Sequence, residues 1–175
     1  HLGSLAAFVM PNSRAVKPLI SRARELLAKR SGGDGQTQGY QWGPERAELI
    51  AEAVYEAIRE QGIDYSNPAG SFERFSQKVR SPQAILEDNE GTCLDTTILY
   101  ASCLAAVGLN PVLFLVPGHA FSGYFVHDKL PLPVGAHVPS LAEALFDQAV
   151  FESASSENRR GSSGARYLLG ENQWG

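Results

Sequence analysis

The stretch Gly91-Thr92-Cys93-Leu94-Asp95-Thr96-Thr97-Ile98-Leu99-Tyr100 decides how the rest of the chain is read. From Leu94 to Val107 the residues are apolar on almost every helical face, which predicts a helix buried in the middle of the domain. Gly108 is its stop. Cys93 opens that helix. A thiol there meets unpaired backbone N–H groups and the positive end of the helix dipole. Both favour the thiolate, which is the nucleophilic form. Asp95 falls in the first turn, where a carboxylate is favourable for the same dipole reason. Its expected task is to hold the neighbouring loop rather than to do chemistry.

Downstream, Asn110-Pro111 turns into the apolar run Val112 to Val116, read as a strand. Pro117-Gly118 turns again, and His119 to Val126 forms the next strand. A two-residue connection predicts an antiparallel pair with a histidine at the start of its second strand. Beyond it, His127 to Pro139 carries three prolines and reads as a loop, with His127 and His137 facing solvent. Ser140 to Phe146 reads as a short helix, and Gln148 to Ser153 as a third strand. Ser153 to Gly164 is rich in Ser, Gly and Arg and reads as mobile. Ala165 to Leu169 fits either strand or helix.

Upstream, Leu19, Ala23, Leu26 and Leu27 give a helical stripe over Val16 to Arg30, and the glycines after Ser31 stop it. Tyr40 and Trp42 mark the end of the Gly/Gln-rich link as a packed loop, and with Tyr65 they read as core or groove-lining aromatics. Pro44 suits the first turn of a second helix that runs to about Gln61 and ends at Gly62. Ile63 to Gly70 reads as a loop or short extended piece, and Phe72 to Lys78 as a short helix or turn. Ser81 is an N-cap with Pro82 at the first helical position. A short helix from Gln83 to Glu87 then leads to a turn over Asp88 to Gly91. Arg80 is placed to brace that loop.

With 175 residues, the chain is long enough for one domain with a real core. Residues 1–15 read as an extension or cleavage scar, since the first residue is His. Residues 16–175 read as a single domain excised from a longer protein. The net charge of −4 argues against nucleic acid or an acidic membrane surface as the main partner. No apolar run is long enough to span a bilayer. Leu2 to Met10 lacks a basic leader and is not read as a signal peptide.

Cys93 and Cys103 lie ten positions apart on one predicted helix, about 15 Å along its axis. That is too far for a disulfide, so a reducing, cytoplasmic setting is expected. Cys103, inside the apolar helix, reads as core. Structural zinc wants four ligands with a close pair, and neither cysteine has a close partner. No metal and no cofactor is expected.

The run from Tyr40 to about Glu152 resembles the transglutaminase-like branch of the papain-like cysteine protease superfamily. The motifs that carry the likeness are Ser71-Phe72-Glu73, Gln77-Lys78-Val79-Arg80-Ser81-Pro82, Gly91-Thr92-Cys93-Leu94-Asp95, Gly108-Leu109-Asn110-Pro111 and Gly118-His119-Ala120-Phe121. More narrowly, they resemble small domains of this type fused to large bacterial helicase-type proteins. The resemblance covers about two thirds of the chain. It implies an α+β fold: N-terminal helices and a buried central Cys helix packed on a small antiparallel sheet.

The resemblance also implies roles. Cys93 matches the nucleophile and His119 the base. The third member of the triad usually sits as an Asp in a short apolar strand. Val150-Phe151-Glu152-Ser153 fills that place here, so Glu152 is the candidate acid and Asp147 the runner-up. The backbone N–H of Cys93 is one oxyanion donor by position. Gln77 is the amide for a second donor or substrate contact.

The expected activity is acyl transfer or hydrolysis on a peptide, isopeptide or glutamine amide. Hydrolysis, as a protease or deamidase, is favoured over crosslinking because no acceptor site is legible. Expected partners are a protein or peptide substrate and other domains of a larger parent chain, with no nucleic acid bound by this domain and no membrane. The alternative is a catalytically inactive domain of the same fold that binds a peptide or a neighbouring domain.

Overall fold

A computed structural model describes residues 2–66, 79–116, 119–128 and 165–166. After a 3₁₀ helix over Leu2–Phe8 come α1 (Val16–Arg30), α2 (Pro44–Arg59), β1 (Asp64–Tyr65), α3 (Pro82–Asp88), β2 (Glu90–Gly91), α4 (Cys93–Ala106), β3 (Pro111–Val116), β4 (His119–Phe125) and β5 (Ala165–Arg166). The architecture is α+β, with helices and two small sheets. The expected helix or turn over Phe72–Lys78, the third strand over Gln148–Ser153 and the loop histidine His137 lie outside the described residues.

Helix α4 is the centre. Ten of its residues, Leu94, Asp95 and Thr97 through Leu104, are buried. An isolated helix of that composition has no face to give to water, so it must be surrounded. Helices α1, α2 and α3 pack against it, and β3 and β4 also lie on it. The main core joins Leu19, Ala23 and Leu27 of α1, Ile50 and Val54 of α2, and Leu99 and Leu104 of α4. Across the outside of the helical layer, the Arg22 guanidinium grips both oxygens of Glu60 at 2.6 and 2.8 Å. That pair draws the Glu60 carboxyl below its ordinary range.

The helix ends follow from local chemistry. Ser81 Oγ accepts the Ala84 N–H at 3.2 Å, capping α3 as expected. At the far end of α4, Gly108 takes φ +80°. The Leu109 N–H then reaches the Leu104 carbonyl and the Gly108 N–H reaches Ala105, both at 3.0 Å, which is a Schellman closure. Gly39, at φ +56°, lies so close to this turn that a Cβ on it would sit 2.6 Å from the Gly108 carbonyl oxygen.

β3 and β4 pair antiparallel from Pro111↔Tyr124 to Val116↔His119. β5 pairs antiparallel with the far end of β4, through Tyr124↔Arg166 and Phe125↔Ala165. Ala165–Arg166 is therefore strand, one of the two readings its sequence allowed. β1 and β2 form a separate parallel pair, Asp64↔Glu90 and Tyr65↔Gly91. The sequence reading placed only a turn at Glu90–Gly91. A two-residue ladder leaves no periodicity to detect.

Part of the segment expected to be an extension is docked on the domain. The Met10 N–H donates to Ser102 Oγ at 2.9 Å, while Ser102 donates to the Ile98 carbonyl at 2.7 Å. Leu5 packs on a small cluster of Leu94, Ile98 and Ala120.

The link before α2 is packed through one aromatic, not two. The Tyr40 hydroxyl donates to the Phe125 carbonyl at 2.7 Å and accepts the Asn110 N–H at 2.8 Å. It thereby ties the link to both strands of the hairpin. Trp42, expected to be buried or to line a groove, is instead 58 % exposed. The turn closed by the Gly43 N–H on the Tyr40 carbonyl spends its packing on Tyr40 and leaves the indole outside. Tyr40→Phe keeps the ring and strands two backbone groups. It should lower unfolding stability by about 1–3 kcal/mol, a drop of several degrees in Tm by thermal unfolding.

Candidate active site

The N-terminus of α4 is built by a reciprocal cap. Thr92 Oγ1 accepts the Asp95 N–H at 3.3 Å, and Asp95 Oδ2 accepts the Thr92 N–H at 3.0 Å. This satisfies one end donor from each side of the turn. Asp95 Oδ1 also accepts the Arg80 N–H at 2.8 Å, so the loop entering α3 is fastened to the helix start. Arg80 completes the brace by donating to the Glu90 carbonyl at 3.0 Å. Asp95 is 1 % exposed, and its carboxylate is occupied by backbone donors. Its role is to hold the loop.

With Thr92 and Asp95 locked, Cys93 is the first residue of the helix. It is half-buried, against the small cluster of Leu94, Ile98 and Ala120. Its own N–H has no acceptor among the described residues. That cluster also sets the position of the histidine. Ala120 is a buried β4 residue that packs on the start of α4, and His119 is its immediate neighbour at the strand start. The His119 ring is exposed and stacks loosely along Phe121, centroids 6.3 Å apart. Phe121 in turn stacks on Phe114 of β3 at 5.0 Å.

Cys93 and His119 line one cleft of about 380 Å³. Thr96 and Thr97 of α4 and Gly91 of β2 line it too. It is also lined by Tyr55 and Ile58 of α2, a segment read from sequence only as an apolar helix, and by Ile63, read as the start of a loop or short extended piece. Tyr65, expected to be core or groove-lining, lines this cleft and is half exposed. Nothing in the local pattern of α2 separates a cleft wall from a core face, because both are apolar stripes at helical spacing.

Of the site residues expected from sequence, Cys93 and His119 are thus brought to one cleft. Glu152, Asp147 and Gln77 lie outside the described residues. His127 is exposed, as expected. No cluster of three or more metal-ligating side chains occurs among the described residues. No helix among them is long and apolar enough to cross a membrane.

Cys103 has the opposite environment. It is fully buried in the main core, and burial pushes its thiol up to about 12. No known family description, characterised protein or solved structure matches this chain.

Two outcomes follow from these placements. Asp95→Ala removes an acceptor shared by Thr92 and Arg80 and should cost about 2–4 kcal/mol in urea unfolding, with Asp95→Asn losing less. For Cys103, the unfolded thiol gives up its proton above its ordinary value near 9, while the folded one keeps it up to about 12. The folded state then holds more protons, so stability falls as pH rises across that window. Unfolding midpoints between pH 8 and 11 should fall less steeply in Cys103→Ala than in the wild type.

Proposed function

We propose that this domain is a thiol acyl-transfer enzyme of the transglutaminase-like type, acting on a peptide, isopeptide or glutamine amide. The observation that carries the reading is that a cysteine at a helix N-terminus and a histidine at a strand start line the same cleft. In this reading His119 takes the Cys93 thiol proton. Cys93 Sγ attacks the carbonyl carbon, and the Cys93 N–H is the backbone donor for the oxyanion that forms. The C–N bond breaks, His119 gives a proton to the departing amine, and a thioester remains. Water then cleaves the thioester to a carboxylate and restores the thiol. An amine in place of water would leave a new amide instead. Hydrolysis is the favoured outcome.

Within this reading, Glu152, with Asp147 second, is the group that would orient the imidazole, and Gln77 the second oxyanion donor. A cytoplasmic setting and attachment to a larger helicase-type parent belong to the same proposal.

One observation favours a second reading, in which the cleft binds a peptide without chemistry. The His119 ring is exposed and has no hydrogen-bond partner among the described residues, so only its loose stacking along Phe121 bears on its orientation there.

Site-resolved alkylation with iodoacetamide separates the two. The enzyme reading expects Cys93 at neutral pH to be alkylated at least about tenfold faster in the wild type than in His119→Ala. Cys103 should stay unmodified in the native fold. Equal Cys93 rates in the wild type and His119→Ala would leave the binding reading.

A further inference from the structure

From the cleft wall beside Cys93 we infer that the group held next to the attacked carbonyl is an uncharged, apolar side chain of leucine or phenylalanine size. The inference rests on the acyl-transfer reading of Cys93 and names the substrate class of that site. The wall is made by Tyr55, Ile58, Ile63, Tyr65 and Tyr100. Ile58 and Ile63 are nearly buried, so they are fixed in place by the core behind them. Tyr55 and Tyr100 meet edge to face, centroids 6.2 Å apart and planes at 83°.

Several polar groups around this cleft already have partners. The Tyr100 hydroxyl donates to the Ala51 carbonyl at 3.2 Å. Thr96 Oγ1 donates back to the Thr92 and Cys93 carbonyls. Ser122 Oγ is directed to the Val112 and Gly123 carbonyls. Tyr100 and Thr96 therefore offer the cleft a ring and a methyl group, and the Ser122 hydroxyl proton is already engaged. Among the described lining residues, His119 is the one side chain that can carry a full charge near neutral pH besides the thiolate. A charged side chain entering here would lose water and meet no counter-charge on this wall. An apolar one would bury its surface against aromatic and aliphatic carbon. A cleft of about 380 Å³ is at the small end of ligand sites, which suits one side chain and its flanking backbone.

The test uses N-acetylated aminoacyl chloromethyl ketones carrying Phe, Leu, Asp or Lys. Cys93 sulfur displaces chloride, forming a thioether and releasing the thiol proton. The reagent alkylates any thiol it reaches. The ratio between side chains is therefore read whether or not His119 activates Cys93, and the two readings fail separately. Cys93 labelling, followed by mass spectrometry, should run at least about tenfold faster with Phe or Leu than with Asp or Lys. Using both signs removes the influence of the net charge of −4. Tyr65 is 49 % exposed, so Tyr65→Ser leaves the core intact. It should reduce the apolar preference at least about threefold once each rate is divided by the iodoacetamide rate of the same variant. Equal rates across the four reagents, a charged reagent in the lead, or an unchanged ratio in Tyr65→Ser would each overturn the inference.

Discussion

The structure depends on one constraint: a fourteen-residue helix, Cys93–Ala106, that has no polar face. Such a helix gains nothing from water on any side, and α1, α2, α3, β2, β3 and β4 all pack on it. The helices take its back and sides, and the hairpin takes the front. Even Leu2–Phe8 and the residues after it are drawn in. Ser102, fully buried on α4, answers the Met10 N–H. Its own proton returns to the helix backbone at Ile98, so a buried hydroxyl is satisfied without opening the core.

What remains open is the helix N-terminus, and there the chain spends its polar groups with economy. End N–H groups need acceptors. Thr92 Oγ1 serves Asp95, while Asp95 serves Thr92 and Arg80. Cys93, between them, is left with an N–H that has no acceptor among the described residues and a side chain facing a cleft. An ordinary capping box thus produces an extraordinary neighbour. The residues around the cysteine are fully engaged in holding the turn, and the cysteine itself is not. The same carboxylate that closes the cap fixes the path of the chain into α3, so loop position and thiol position are set together.

Much of this was legible in sequence because it is local. Val16–Arg30 is read correctly from an apolar stripe and a glycine stop, and Pro44 marks the start of α2. Ser81-Pro82 opens α3. Gly108 ends α4 by the left-handed turn that glycine favours. Cys93 and His119 stood out for a similar reason: each sits at a boundary that its neighbours define. The cleft wall did not stand out. Tyr55 and Ile58 carry the same helical spacing whether they face a core or a cavity, and only the placement of β1 and β2 beside α4 makes the difference. That placement rests on a two-residue ladder and on flanking bonds from the Asp64 N–H to the Asn89 carbonyl and from the Ser66 N–H to the Gly91 carbonyl. No composition rule reveals them. Trp42 shows the converse error, since an aromatic in a packed loop need not be the one that packs.

The two cysteines show how far position outweighs residue type. They share one helix, ten positions apart. Cys103 is enclosed by the main core, where a charge would have no solvation, and burial holds its thiol protonated far above its ordinary range. Cys93 lies at the end where the dipole is positive and a cleft opens. Packing Ala120 on Leu94 and Ile98 then carries the start of β4, and with it His119, toward that end of the helix. A small apolar contact between a helix and a strand therefore accomplishes what no feature of either segment could alone. It brings a buried helix with a cysteine at its tip, and a hairpin with a histidine at its rim, to one cleft.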